Sequence, residues 1–364
     1  MKHIVVSGYY GCGNTGDEAV LGGMLASFRA LGADVDFTVL SRDPAGTTSV
    51  HGVAAVSRNS LGEVARSIKS ADLLISGGGS LLQDVTSARS AAYYLGVMFV
   101  GLAFGKPVMA YAQGVGPLLR PTTTYFSRLL LDRARLITVR DEDSAELLRR
   151  IGVARPPVHV TADPSFDMDP ASEEAALSAL CRAGAPDDRP LLGVAVRNWK
   201  AGDEWPSVLA EGIRKASERL AATPLFLPMH YPEDVTFAAA IASEVGAQAV
   251  VLQSPLLPGL AKAIVGRVDV MLAMRLHALM FAAAVGAPAV ALSYDPKVTS
   301  FAGNLPGGLP VLSTSGAGPS DIADAVEQAW ERRADIRREL EAKLPDWRQE
   351  ARKNASLALE LLEL

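Results

Sequence analysis

The stretch HIVVSGYYGCGNTGDEAVLGGMLASFRALGA, residues 3–33, carries three signals in order. HIVVS is a β-branched run that reads as a buried strand, the glycines after it punctuate a loop, and DEAVLGGMLASFRALGA has apolar residues at helical spacing. A strand that passes through a glycine loop into a helix is the opening unit of a parallel α/β sheet.

The same alternation continues through VDFTVLS, DLLIS, PVMAYA, LITVR and VHVTAD, with LGEVARSIKS and TYFSRLLLDRA as helical-period segments between them. Continuous apolar strands alternating with helices indicate a sheet covered on both faces. The Pro-, Asp- and Ala-rich stretch DPSFDMDPASEEAALSALCRAGAPDDRP interrupts it, with a domain boundary read near residues 165–188. LLGVAVR, TPLFLPM, AVVLQS, VDVMLAM and PAVALSY then start the pattern again.

The chain of 364 residues is long enough for two domains of about 150 to 180 residues. The expectation is an α/β protein of two Rossmann-like domains facing each other across a cleft, a GT-B-like arrangement. The N-terminal domain is placed at 1–168, a linker at 169–188, the second domain at 189–335, and C-terminal helices packing on the pair at 336–364. ADLLISGGGSLLQD (71–84) and VDVMLAMRLHALMF (268–281) echo one another, and each leads into a Gly-x-Pro and another strand.

Composition narrows the function. A formal charge of -5 argues against a nucleic-acid-coating protein. Two cysteines, Cys12 and Cys181, are too few for a disulfide framework or a multi-cysteine metal site and suit a reducing compartment. No signal peptide is visible, and AAYYLGVMFVGLAFGKPVMAYA (91–112) is broken by Lys106-Pro107, so it reads as a core helix followed by a strand. The expected location is the cytoplasm, free or at the inner face of the cell membrane, although no single basic amphipathic segment stands out. No metal-ligand spacing is evident.

Gly11, Gly13 and Gly16 match G-x-G-x-x-G, the dinucleotide-binding pattern. Two features oppose that reading. Gly8-Tyr9-Tyr10 separate the glycines from a strand expected to stop near Ser7, and Asp17 and Glu18 in the first helical turn would repel a pyrophosphate. A capping box between Thr15 and Glu18 is one explanation of the acids. The alternative is a ligand loop in which Tyr9, Tyr10, Gly13 and Asn14 lie beside an acceptor.

Gly77-Gly78-Gly79 follow DLLIS and are read as an acceptor-side loop whose amides could cradle an anion, with a helix expected from about Leu81 carrying Gln83 and Asp84 toward sugar hydroxyls, unless the triplet is a plain tight turn. Arg140 leaves the strand LITVR, where it could pair with a carboxylate or phosphate or simply be solvated. Arg275-Leu276-His277 emerges after VDVMLAM, His277 being the histidine best placed for proton transfer. Lys297 follows the next strand, so Arg140, Arg275, His277 and Lys297 are read as a cationic cluster for a small polyanion. Arg197-Asn198-Trp199-Lys200 is a candidate aromatic platform for a sugar, His230 and Glu233 are further candidates, and Cys12 reads as a structural thiol.

Taken together, GYYGCGNTGDEA, GGGSLLQD, AQGVGP, VRDEDS, DPSF and RLHALMFAAAVGAPAVALSYDPKV resemble the polysaccharide pyruvyl transferases, most closely the bacterial cell-surface-anchoring (CsaB) type. The resemblance spans Ser7 to about Val298. It implies phosphoenolpyruvate as co-substrate, with no separate cofactor, and a lipid-diphosphate-linked saccharide as acceptor, on whose N-acetylmannosamine a 4,6-pyruvate ketal is formed. It also implies that Arg140, His277 and Lys297 bind phosphoenolpyruvate and that the family's R-L-H triplet falls on Arg275-Leu276-His277. His277 is then the candidate general acid, and Asp17 or Glu18 the candidate base. A nucleotide-sugar glycosyltransferase of the same fold, or a non-catalytic binding protein on that scaffold, are the competing readings.

Overall fold

The computed structural model describes residues 2–85, 88–199, 202 and 204–363. The chain divides into two compact units, Met1–Met168 with Asp346–Leu364, and Asp169–Pro345.

Unit 1 runs β1 (Lys2–Tyr10), α1 (Thr15–Ala30), β2 (Val35–Ser41), α2 (Pro44–His51), β3 (Ala54–Ser57), α3 (Leu61–Ser70), β4 (Leu73–Ser76), α4 (Ala88–Ala103), β5 (Val108–Gln113), α5 (Pro121–Leu131), β6 (Leu136–Val139), α6 (Glu142–Ile151) and β7 (Val158–Val160). Its seven strands are all parallel, in the order β3-β2-β1-β4-β5-β6-β7.

Side-chain parity explains why the strands are apolar throughout. Ile4, Val6, Leu73, Ile75, Met109 and Tyr111 pack on one face with Leu21, Met24 and Phe28 of α1, whereas Val5, Leu74, Val108 and Ala110 pack on the other with Tyr94, Met98 and Leu131. Each strand residue meets a hydrophobic layer whichever way it points.

Unit 2 runs α7 (Glu173–Arg182), β8 (Leu191–Ala195), α8 (Trp205–Leu220), β9 (Thr223–Phe226), α9 (Glu233–Val245), β10 (Val250–Val251), α10 (Pro258–Val265), β11 (Val270–Ala273), α11 (Leu276–Ala284), β12 (Ala289–Ser293), α12 (Pro296–Gly303), β13 (Val311–Ser313) and α13 (Pro319–Glu331). Its six parallel strands follow the order β10-β9-β8-β11-β12-β13.

The two sheets thus have the same winding, with the strand order reversing between β1 and β4 in one and between β8 and β11 in the other. In such sheets ligands bind at that reversal, outside the carboxyl ends of the strands. The two echoing sequence segments occupy the matching positions, β4 and β11, each the first strand beyond the reversal.

Several boundaries differ from the sequence reading. Residues 169–188, read as a linker, contain α7, which packs on α10 within unit 2 and is tied there by the Ala171 N–H to Gly259 O bond at 2.8 Å. The segment read as separate C-terminal helices belongs, as far as Glu363, to one helix, α14 (Arg333–Glu363). The unit division falls inside it. Ile336 and Leu340 are buried in unit 2, while Ala355, Ala358 and Leu362 complete one core cluster of unit 1. Arg352 grips Asp167 with two bonds of 3.0 and 2.7 Å, closing unit 1 across a long sequence separation.

Candidate functional site

In unit 1 the glycine loop joins β1 to α1 at the strand reversal. The strand runs past Ser7 to Tyr10, with a register break in which Ser7 pairs with Leu40 and Tyr10 with Ser41. That break lets the Tyr10 ring fold back over the sheet. A Cβ on Gly8 would lie 2.3 Å from its Cε2, and one on Gly77 would lie 2.3 Å from its hydroxyl. Tyr10 is completely buried and does not face an acceptor; it belongs to the core. Burial pushes its phenol pKa well up, and the charges of Asp17 and Glu18 push the same way. Tyr9 is half-buried against the opposite core cluster.

The helix that follows is capped by Asn14, whose side-chain oxygen accepts from the Gly16 N–H at 3.0 Å. Glu18 does not reach into a capping box with Thr15. One of its oxygens accepts from the Gly11 N–H at 2.7 Å and the other lies 2.8 Å from His51 Nε2, so the loop is closed by its own acid. A pyrophosphate would have to displace that carboxylate, which disposes of the dinucleotide reading on physical grounds. Glu18, one of the two candidate bases, is thus held by the Gly11 N–H and the His51 ring. Gly11 and Gly13 sit at φ +69° and +73°, the left-handed region that favours glycine. Gly13 is exposed at the loop tip.

Gly77, Gly78 and Gly79 are buried and are not an anion cradle. The Gly77 N–H donates to Ser7 O at 2.7 Å, and a Cβ on Gly78 would meet Val20 at 2.7 Å. Gly79 lies under Asp17, whose Oδ1 would be 2.8 Å from an added Cβ. The triplet is glycine because Tyr10 of β1 and Val20 and Asp17 of α1 lie against it. No helix starts at Leu81. Gln83 and Asp84 lie on a loop, since α4 begins at Ala88, and Gln83 Oε1 accepts from the Val85 N–H at 3.0 Å. Asp84 is buried and accepts from the N–H groups of Leu119 (2.7 Å) and Arg120 (2.9 Å). Burial alone would raise its carboxyl, but these two donors and the Thr123 hydroxyl outweigh that and hold the pKa below the usual carboxylate range. Asp84 therefore clamps the chain ahead of α5 rather than meeting a sugar.

Arg140 is almost wholly buried, with Nη1 2.7 Å from Asp163 Oδ2 and Nη2 3.1 Å from the Ser80 hydroxyl. Its guanidinium also lies where a Gly114 side chain would be, about 3.0 Å from the added Cβ. Arg140 belongs to unit 1, whereas Arg275, His277 and Lys297 belong to unit 2. Its charge is matched by Asp163, an ion pair that the sequence reading did not anticipate.

The sequence reading also passed over Arg58, which leaves the four-residue strand β3. Its guanidinium lies 4.2 Å from the Tyr93 ring centroid and 5.4 Å from that of Tyr94, and Nη1 is 3.3 Å from the Tyr94 hydroxyl. Among the described residues no carboxylate pairs with it. It sits beside Cys12 of the glycine loop, 3.9 Å from Sγ. Burial raises the Cys12 thiol pKa, and Arg58 and Arg42 only partly offset it, so the thiol is not an activated nucleophile. The rule that singled out Arg140, a cation leaving a buried strand, does not reach Arg58, because β3 is a partly exposed edge strand that the sequence pattern does not reveal.

In unit 2, Arg275 is the residue before α11 and His277 the second residue within it, immediately beyond β11. Lys297 is the second residue of α12, beyond the neighbouring strand β12, and its N–H is fixed by the Asp295 carboxylate at 2.9 Å. Because β11 and β12 pair in parallel through Ala273 and Ala291, both loops open on the same carboxyl edge of the sheet. Arg275 is not wholly available to a substrate. Its Nε and Nη2 bond the two oxygens of Asp234, which also accepts from the N–H groups of Met229 and His230.

Next to them, Arg197 leaves β8 and lies over Trp199 and Tyr294 at 5.5 and 5.4 Å from their centroids, its Nη1 3.2 Å from the Tyr294 hydroxyl. The two rings stand 4.6 Å apart, tilted by 47°. They border a cavity of about 540 Å³ with Ser293, Thr299, Ser313 and Ser315 around it. Aromatic faces beside hydroxyls suit a ring-bearing polar ligand. Lys200, part of the same expectation, lies outside the described residues. His230 Nε2 is 3.8 Å from Glu233, a loose surface pairing. Among the described residues no group of three or more His, Cys, Asp or Glu is arranged to hold a metal ion.

A family model described as polysaccharide pyruvyl transferase matches residues 14–296. No curated protein matches the chain by sequence. Among solved structures, the chain is similar to UDP-GlcNAc 2-epimerase from Neisseria meningitidis bound to UDP-GlcNAc (TM-score 0.63, 14% identity, 100% of both chains covered). It is also similar to Anabaena HepE in complex with UDP-glucose (TM-score 0.68, 12% identity, 99% of this chain and 100% of that one). A third is the E. coli ADP-heptose LPS heptosyltransferase II (TM-score 0.53, 15% identity, 91% and 99%). At these identities the likeness establishes the fold alone.

Proposed function

Because this chain belongs to the polysaccharide pyruvyl transferase family, we propose that it transfers the enolpyruvyl group of phosphoenolpyruvate to a saccharide and releases phosphate. The observation that carries this reading is the placement of His277 and Lys297 at the starts of α11 and α12, on adjacent loops at the carboxyl edge of one parallel sheet. A basic group and an acid–base group on neighbouring loops suit a compact anion whose carbon must be protonated.

In this proposal Lys297 holds phosphoenolpyruvate by charge. Arg275, oriented by Asp234, supplies directional donors. His277 delivers a proton to the enol methylene carbon, which becomes a methyl group, while a sugar hydroxyl adds to the adjacent carbon and gives up its proton. A second hydroxyl then bonds to the same carbon as that carbon's bond to the phosphate oxygen breaks, the hydroxyl proton leaves with the phosphate, and a cyclic ketal forms. Asp17 or Glu18 is the carboxylate assigned to accept a hydroxyl proton. Arg140 is assigned an indirect role, holding the 113–116 turn beside Asp163. Trp199 and Tyr294 are the candidate platform for a sugar ring. The acceptor is taken to be N-acetylmannosamine of a lipid-diphosphate-linked cell-wall saccharide, as in the cell-surface-anchoring type, with the chemistry on the cytoplasmic side of the membrane.

Phosphate release from phosphoenolpyruvate, measured with a panel of lipid-linked N-acetylmannosamine and galactose acceptors, tests this. The expected result is acceptor-dependent phosphate and a new ketal methyl signal. Consumption of a nucleotide sugar, with no phosphate released in the presence of any acceptor, overturns it in favour of a glycosyltransferase.

A further inference from the structure

Helix α4 buries Ala91, Tyr94, Leu95 and Met98 in unit 1, spaced as one face of a helix. A surface helix so built ordinarily carries polar groups on its other side. α4 does not. Ala92, Gly96, Phe99 and Ala103 face solvent, Phe104 follows, and residues 91–105 contain no charged side chain. α5 packs alongside and adds Tyr125 and Phe126, with Leu119 in the loop before it. Phe99 is 60% exposed, Leu119 71%, Tyr125 59% and Phe126 50%, so bulky apolar groups are held in water at a free-energy cost that contact with an apolar medium would remove.

The segment that builds this face is basic, although the helices packed on either side of it, α3 and α6, carry Glu63, Glu142, Asp143 and Glu146. Residues 85–135 contain Arg89, Lys106, Arg120, Arg128, Arg133 and Arg135 against the single acid Asp132, in a chain whose overall charge is -5. Asp132 is already occupied by the N–H groups of Ala154 and Arg155 and by the Arg155 guanidinium. Lys106, Arg133 and Arg135 line a cavity of about 860 Å³ just beyond the end of α4.

We infer that the α4/α5 face of unit 1 docks on a membrane surface containing anionic phospholipid. Aromatic rings enter the headgroup boundary, and flanking arginines and lysine meet the negative surface potential. A second copy of this chain fits less well, since a two-fold contact through this face would bring the same cations together. Among the described residues no helix is long and apolar enough to cross a membrane, so the contact is peripheral. The inference stands apart from the transfer reaction and holds whichever sugar is modified.

Co-sedimentation of the full chain with phosphatidylcholine vesicles, with and without phosphatidylglycerol, tests it. The expected result is retention about tenfold greater on the anionic vesicles, falling as salt is raised. The combined variant Phe99→Ser, Tyr125→Ser, Phe126→Ser and, separately, Arg120→Glu with Arg128→Glu should each lower retention by about tenfold while keeping the wild-type melting temperature. The charge reversals keep the test decisive if the aromatic variant misfolds. Equal retention of the wild type on neutral and anionic vesicles overturns the inference. So does sedimentation velocity showing a wild-type dimer that Phe99→Ser turns into a monomer, because the face would then be a self-association surface.

Discussion

Asp234, the second residue of α9, holds Arg275 at the entrance to α11, accepting from Nε at 2.8 Å and from Nη2. The pair is mostly buried, with Asp234 2% and Arg275 14% exposed at the side chain. Asp234→Asn leaves a guanidinium without its counter-charge, which for a buried pair costs about 3 kcal/mol. We expect a lowered thermal midpoint and a rise in KM for phosphoenolpyruvate, both measurable on the purified variant. Arg275→Lys should not recover either, because an ammonium group cannot make the paired contact.

His277→Gln should fold normally and lose turnover by about 10² to 10⁴-fold, the range for removal of a general acid. Steady-state phosphate release reads kcat, and isothermal titration with phosphoenolpyruvate reads binding. Loss of binding with unchanged kcat would assign His277 to anchoring instead of proton transfer.

Arg58 is a cation on two tyrosine rings with no carboxylate partner among the described residues, at the same sheet edge as the glycine loop. Arg58→Ala should raise the KM for the saccharide acceptor by about tenfold, a loss comparable to one charge-assisted hydrogen bond. The KM for phosphoenolpyruvate should stay near the wild-type value. Initial rates at varied acceptor and fixed phosphoenolpyruvate separate the two.

The Asp84 carboxyl is held below its ordinary pKa in the folded chain, so its contribution to stability is complete above the unfolded aspartate value of about 3.9. That contribution fades as pH falls from there through the lower folded value. Asp84→Asn should cost on the order of 2 kcal/mol at pH 7. The gap between variant and wild-type melting temperatures should narrow as pH falls below the unfolded aspartate value. Melting curves at several pH values check the sign.

Gly77 and Tyr10 are predicted to act as a pair. A Cβ at Gly77 would stand 2.3 Å from the Tyr10 hydroxyl and 3.3 Å from Ser7 O, so Gly77→Ala should destabilise unit 1 by about 1 to 3 kcal/mol. The Tyr10 hydroxyl is buried with no hydrogen-bond partner among the described residues, so Tyr10→Phe alone should be close to neutral. The double variant should recover part of the loss. A double-mutant cycle by thermal melting gives the coupling directly.

The sequence by itself determined the class of fold, the restart of the pattern in a second half, and which loops leave the carboxyl ends of strands. Those properties come from local periodicity and glycine placement. β3 and β13, both edge strands, escaped it. The linker reading of 169–188 failed for a related reason: the composition is Pro- and Asp-rich overall, yet Glu173–Arg182 is a helix capped by Ser172.

Among the site residues, sequence located the cations and carboxylates but not what they bond. Only the tertiary structure decided that Tyr10 turns into the core, that Gly77 to Gly79 make room for Tyr10, Val20 and Asp17, and that Glu18 and Asp84 are occupied by backbone N–H groups. It alone revealed Asp163 beside Arg140 and Asp234 beside Arg275, partners 23 and 41 positions away in the chain. Ion pairing acts over a few ångströms of space, whatever the separation in sequence. A run of residue types can therefore show that a charge leaves a strand, while the fold decides whether that charge is already matched.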